Sequence, residues 1–280
     1  MINMEVRFAP NAHAAQRMTT EELRSNYLID NLFTENAVTL VYTDVDRAII
    51  GGIVPTNSPL QLLASKKEMA ADYFCERREA GIINIGGKGS VEVDGKKYPM
   101  EKKDVLYIGR GVQKISFESE KKEEPARYYL MSYPAHTAYP TAHAKFSDAE
   151  PAQLGSQKDA NKRTIYKYIH LNGIKSCQLV MGMTELDEGS VWNTMPAHTH
   201  LRRSEIYMYF NLKSDAVVFH FMGEPVQSRN LVMRNGHVAI SPSWSIHCGA
   251  GTSNYSFVWA MGGENQEFSD MDPVPMTEIR

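Results

Sequence analysis

The sequence predicts an all-β protein made of two tandem antiparallel β-barrels with a few short helices. Three observations support this. Short runs rich in Val, Ile, Tyr, Phe and Thr recur along the chain, each bounded by Gly, Asn-Gly or Asp-Gly. One stretch near the start shows clear helical spacing. A Pro-containing segment from Pro125 to Gln157 separates two halves that follow the same pattern. Closing each sheet into a barrel would remove its unpaired edges.

In chain order, Thr19-x-x-Glu22 forms a capping-box signature ahead of Leu23, Tyr27, Leu28 and Leu32, which fall on one helical face. The runs AVTLVYT, AIIGGIV, GIINIGG, GSVEVDGKKYPM and DVLYIGRG then read as strands. Val91-Glu92-Val93 should turn through Asp94-Gly95 into Lys96-Lys97-Tyr98, since Asp-Gly supplies the positive φ angles of a type I′ turn, and these strands should lie at an edge. Pro125, Pro134, Pro140 and Pro151 read as a long connection, with the boundary near residue 150. The expected domains are therefore residues 1–150, holding the helix and a first barrel, and 151–280, holding the second. CQLVMGMTEL, SVWNTM, EIYMYFNL, AVVFHFMG, HVAISP and YSFVWAMGG supply the strands of the second half. A weak repeat superposes Asp104–Lys114 on His237–His247.

The chain has 280 residues, 42% hydrophobic and 22% charged, enough to bury a sizeable core. A net charge of −3, with no basic stripe interleaved with aromatics, argues against nucleic acid as a partner and favours a small soluble ligand. The first residues carry no apolar targeting segment and no run is long enough to span a membrane, so a cytoplasmic location is expected. Cys75, Cys177 and Cys248 are widely spaced and form no C-x-x-C pair, which reads as three buried thiols.

Candidate chemistry concentrates in the second half. His198 and His200 are two residues apart, a spacing that points both imidazoles to one face of a strand. Glu205 has the wrong parity to share that strand, so residues 201–204 should turn and let Glu205 open the next strand facing back. His247 closes the segment from Gly236 through Pro242 and completes a three-imidazole, one-carboxylate set suited to Zn, Fe, Mn, Ni or Co. His220 and His237 read as outward-facing strand residues. The first half has no H-x-H and reads as metal-free.

These spacings resemble the two signatures of the cupin barrel, H-x-H followed by Glu and G-x5-P-x-G-x2-H, with Trp244 where the third fixed residue is usually Gly. Over nearly its full length the chain further resembles the 5-keto-4-deoxyuronate isomerase family. The resemblance rests on FCERREAGIINIGG (Phe74 to Gly87), NTMPAHTHLRRSEIY (Asn193 to Tyr207), ISPSWSIH (Ile240 to His247) and GENQEFSDMD (Gly263 to Asp272). It implies two cupin-like barrels, one Zn2+ on His198, His200, Glu205 and His247, and a homohexamer. It also implies conversion of 5-dehydro-4-deoxy-D-glucuronate, released from pectin or related polyuronides, into 3-deoxy-D-glycero-2,5-hexodiulosonate.

Such a reaction moves a proton between neighbouring carbons through an enediolate, whose charge a bound cation stabilises. Glu264 and Tyr207 are the candidate proton carriers, ahead of Glu205, whose proton affinity falls when it is a ligand. Arg202 and Arg203, then Arg77 and Arg78, are candidates to hold the substrate carboxylate through paired hydrogen bonds. Two other readings remain open: an iron-dependent cupin dioxygenase, and a uronate-binding cupin without turnover.

Overall fold

The structure is a computed structural model that describes residues 4–194 and 196–280. It divides into two compact units: residues 1–7, 32–149 and 168–180, and residues 8–31, 150–167 and 181–280. The expected domains differ from these units at interleaved segments. The chief one is the helix Thr20–Tyr27, which belongs to the second unit because it buries Leu23 and Tyr27 there and leads into Leu28–Ile29, paired with Val238 and Ala239. Its capping box forms as expected, with the Glu22 carboxylate accepting from Thr19 N at 2.7 Å.

Each unit stacks a seven-stranded sheet on a four-stranded one. The expected closed barrels are thus open two-sheet sandwiches. Their edges are left open at little cost because the outermost strands of the large sheets, among them Leu28–Ile29 and Ala142–Ala144, are only two to five residues long. In the first unit, Leu40, Ile53, Ile82, Leu106 and Leu130 of the large sheet meet Val91, Ile115 and Phe117 of the small one in a continuous core. The hairpin turns at Asp94 and Gly95, with φ of 47° and 83°, and pairs Val93 with Lys96. Only its second strand, Lys96–Met100, is an edge.

The segment expected as a connection contains Tyr128–Pro134, a fully central strand between Ile49–Ile53 and Arg78–Asn84. Of the prolines that suggested a linker, Pro125 and Pro140 lie outside this strand, Pro134 closes it, and Pro151 sits in the edge strand Glu150–Leu154, positions where no ladder N–H is required.

The two large sheets run in corresponding strand order, with Arg78–Asn84 in the place of Arg203–Phe210 and Val105–Ile108 in that of Val238–Ser241. Ala80 pairs with Ile108 as Glu205 pairs with Ser241, and the superposition of residues 104–114 on 237–247 equates Ile108 with Ser241. Ala80 therefore occupies the position of Glu205, and Lys114 that of His247.

Candidate metal centre

Three local structures deliver the four ligands. His198 lies in the short strand His198–Thr199, pinned by the antiparallel strand Asp272–Pro273, and Val274 N donates to Ala197 O at 3.0 Å. Behind it, Ala197, Ile246, Cys248 and Val274 form a small apolar cluster. After His200 the chain turns tightly, with Arg203 N donating to His200 O, and enters the strand Arg203–Phe210, so Glu205 does stand on a separate strand. Only residues 201 and 202 remain in the turn. His247 follows the turn at Pro242 and precedes the strand Cys248–Gly251. Within that turn Trp244, at the usual cupin Gly position, packs edge-on against Tyr27 at 6.3 Å.

One donor atom from each of the four residues lies within 4.8 Å of the others. His247 Nε2 is 3.0 Å from both His198 Nε2 and Glu205 Oε2, and His200 Nε2 is 3.1 Å from the same oxygen. Ligand atoms bound at about 2.1 Å stand about 3.0 to 3.4 Å apart along adjacent edges, so the residues fit a small divalent cation. His200 Nδ1 faces Arg203 O at 3.2 Å and His247 Nδ1 faces Ser245 O at 3.3 Å. Donation from Nδ1 to those carbonyls turns each Nε2 lone pair toward the shared centre.

Electrostatics favours a neutral His198 imidazole beside an ionised Glu205 carboxylate. Burial, reinforced by His247, pushes the His198 pKa down to about 3. Burial alone would raise the Glu205 carboxyl, but its attraction and hydrogen bonds with His247 and His200 outweigh that and hold it well below the usual range. Burial, then the Glu205 charge, raises the Tyr207 phenol far above its ordinary value, so it remains a proton donor. Its hydroxyl pairs with Thr194 Oγ1 at 3.1 Å, where Thr194 holds a left-handed φ of 59°.

The ligands open into a cavity of about 220 Å3, walled largely by Leu154, Ile165, Phe257, Trp259, Met261, Phe268 and Met271. Gly182 makes room for this wall, since a Cβ there would meet the Trp259 ring at 2.3 Å. The KduI/IolB family model matches residues 31–274. The chain belongs to the KduI/IolB family. It is 52% identical over 277 residues to 4-deoxy-L-threo-5-hexosulose-uronate ketol-isomerase of Caldicellulosiruptor bescii, covering 99% of this chain and all of that one. Among solved structures it is similar to an IolB-like protein of Salmonella typhimurium, with a TM-score of 0.70 at 11% identity over 89% of this chain and 97% of that one. It is also similar to the oxalate decarboxylase of Bacillus subtilis, a protein with Mn(II) centres, with a TM-score of 0.56 at 10% identity over 80% and 71% of the two chains. These likenesses establish the all-β, cupin-like fold.

Within this KduI/IolB chain the structure brings together His198, His200, Glu205, Tyr207 and Arg203 on the cavity wall, with His247 behind them as the fourth member of the ligand cluster. It does not bring Glu264 there: the side chain is exposed and its backbone N–H donates to Arg202 O, because the chain leaves the sheet at Gly263. Arg202 is turned away too, drawn to Asp270 and Asp272. Arg77 belongs to the first unit, pairs with Glu76 and donates to Ala70 O. Arg78, in the same unit, is buried and donates to Ser132 and Arg47 O. His220 is fully buried rather than outward-facing. Sequence reasoning missed Arg163, Thr194 and the buried role of His220. The alternation Arg163, Ile165 within Arg163–Ile169 was a usable signal for the first, since both residues line the cavity.

Proposed function

We propose that this chain is a metal-dependent ketol-isomerase acting on 4-deoxy-L-threo-5-hexosulose uronate, the compound in the name of its Caldicellulosiruptor bescii relative. The observation that carries the reading is the four-donor cluster opening into a largely apolar cavity of monosaccharide size that also holds Arg163 and Arg203. Zinc suits three imidazoles and one carboxylate and is the ion that the family resemblance implies. The same resemblance supports a homohexamer, and an isomerase of a small soluble uronate fits the cytoplasmic location expected from the sequence. No helix among the described residues is long and apolar enough to cross a membrane.

Held by His198, His200, Glu205 and His247, a divalent cation would supply Lewis acidity that lowers the energy of the enediolate. The chain's own groups move the protons. Glu264 lies off the cavity wall and Tyr207 stays protonated, which leaves Glu205, the single carboxylate on the wall among the described residues, to take the proton from C2 with the oxygen not turned to the histidines, despite its lowered proton affinity. As the C1–C2 double bond forms, the aldehyde electron pair moves to O1, which accepts a hydrogen bond from the protonated Tyr207 hydroxyl. Returning the proton to C1, and passing the proton on O2 to O1, gives the ketone at C2 with a primary alcohol at C1. Phe257 and Trp259 keep bulk water from the intermediate.

The test follows the aldehyde carbon of the ring-opened substrate by 13C NMR. Metal-loaded protein should convert it to the ketone without oxygen, and chelator or His247→Ala should stop conversion. An unchanged signal, or conversion indifferent to both interventions, contradicts the proposal.

A further inference from the structure

The substrate proposed above is an anion, yet the cavity wall carries just two cationic side chains among the described residues, Arg163 and Arg203. Their hydrogen bonds divide them. Arg203 is 1% exposed and commits both terminal nitrogens to backbone, Nη1 to Glu267 O at 2.6 Å and Nη2 to Asp270 O at 2.9 Å. With one N–H of each terminal nitrogen held by these carbonyls and Nε buried, its fork is turned to the backbone rather than presented to a carboxylate.

Arg163 is placed differently. It opens the strand Arg163–Ile169, is half-buried, and spends only Nη1, on Asn161 O at 2.9 Å. No carboxylate lies within ion-pair distance of it among the described residues, in contrast to Arg202, which has Asp270 and Asp272. A cation partly withdrawn from water without a counter-ion carries a desolvation cost that an incoming anion would offset. Burial also lowers its proton affinity, as expected of a guanidinium held against an apolar wall.

We propose that Arg163 is the specificity-determining residue that holds the substrate carboxylate. Its Nε and second terminal nitrogen form the fork that meets the carboxylate oxygens while C1 and C2 face the metal ligands. The assignment rests on the isomerase reading for the identity of the anion. It deepens that reading by assigning the residue through which the site takes a uronate in preference to a neutral aldose. The cavity wall at Ile165, Trp259 and Phe268 faces the carbons between the two ends, where a deoxy methylene leaves no hydroxyl unsatisfied.

The test compares wild type, Arg163→Gln and Arg163→Lys on the uronate and on a neutral analogue with a primary alcohol in place of the carboxylate. Arg163→Gln should raise KM for the uronate roughly 10- to 100-fold with a smaller change in kcat, and Arg163→Lys should restore part of it. The kcat/KM for the neutral analogue and the bound metal should not change. Equal losses on both substrates, or no loss on the uronate, would overturn the assignment. Binding of the uronate, followed by ligand line broadening, separates this proposal from the isomerase reading. If wild type turns over neither substrate, the isomerase reading fails, yet uronate binding lost in Arg163→Gln still upholds Arg163, whereas equal binding by both proteins refutes it.

Discussion

Beside the ligand set, the second unit buries an imidazole that is not a ligand. His220 Nδ1 pairs with the Tyr209 hydroxyl at 2.8 Å and Nε2 with Ser241 Oγ at 3.3 Å, while its ring stands edge-on to Tyr207. Burial first, then His247, pushes its pKa down to about 3, with Glu205 opposing. An unfolded histidine titrates near 6.5, so at intermediate pH the unfolded chain binds the extra proton. The stabilisation is therefore complete above about pH 6.5 and falls as pH drops toward 3, by about 2 kcal/mol at pH 5. Urea unfolding at pH 7.5 and pH 5 should show His220→Gln losing about 2 kcal/mol less than wild type on acidification. Equal losses would assign the pH dependence elsewhere. The inward direction of His220 was legible, because Val218, His220 and Met222 alternate in phase and all three are buried. Reading a histidine as polar surface overrode that parity.

At the scale of elements, the segment from Gly263 to Asp272 decides what the two adjacent arginines do. Gly263 takes a φ of 152°, and a Cβ there would lie 2.2 Å from Arg202 O, so the chain can leave the sheet at this point and cross over Arg202. Arg202 then ties down Asp270 and Asp272, Arg203 ties down two carbonyls, and Phe268 and Met271 of the segment become cavity wall. The Asp270 carboxyl is held down to about 2 by hydrogen bonds from Arg202 and then Asn265. Its hold is present above the ordinary carboxylate range and is lost as pH falls through that value. Arg202→Ala should speed hydrogen exchange of amides 264–271 and raise KM a few-fold, with little change in global stability. Unchanged exchange in that segment would remove Arg202 from this role. An adjacent Arg-Arg pair in one sequence carries no sign of carboxylates nearly seventy residues away, which is why the pair looked like substrate ligands.

For the whole molecule, one sandwich plan is used twice and one ligand set is present among the described residues. The strand patterning, the tight Asp94-Gly95 turn and the register of the repeat were all legible, since each is fixed by local alternation and turn chemistry. Glu205 on its own strand followed from parity alone. Open sandwiches instead of closed barrels, the central strand Tyr128–Pro134 within a Pro-flanked stretch, and the packing of Thr20–Tyr27 in the second unit were not legible, because they depend on contacts between distant segments. With Ala80 and Lys114 at the positions of Glu205 and His247, the first unit has no counterpart of two of the four ligands, and the chain should bind a single catalytic cation. The most direct test titrates zinc into chelator-stripped protein while following the isomerisation rate. The rate should rise linearly and break at one equivalent per chain, with no rise for His247→Ala. Full activity in the stripped protein, or a rise that continues to two equivalents, would contradict the account.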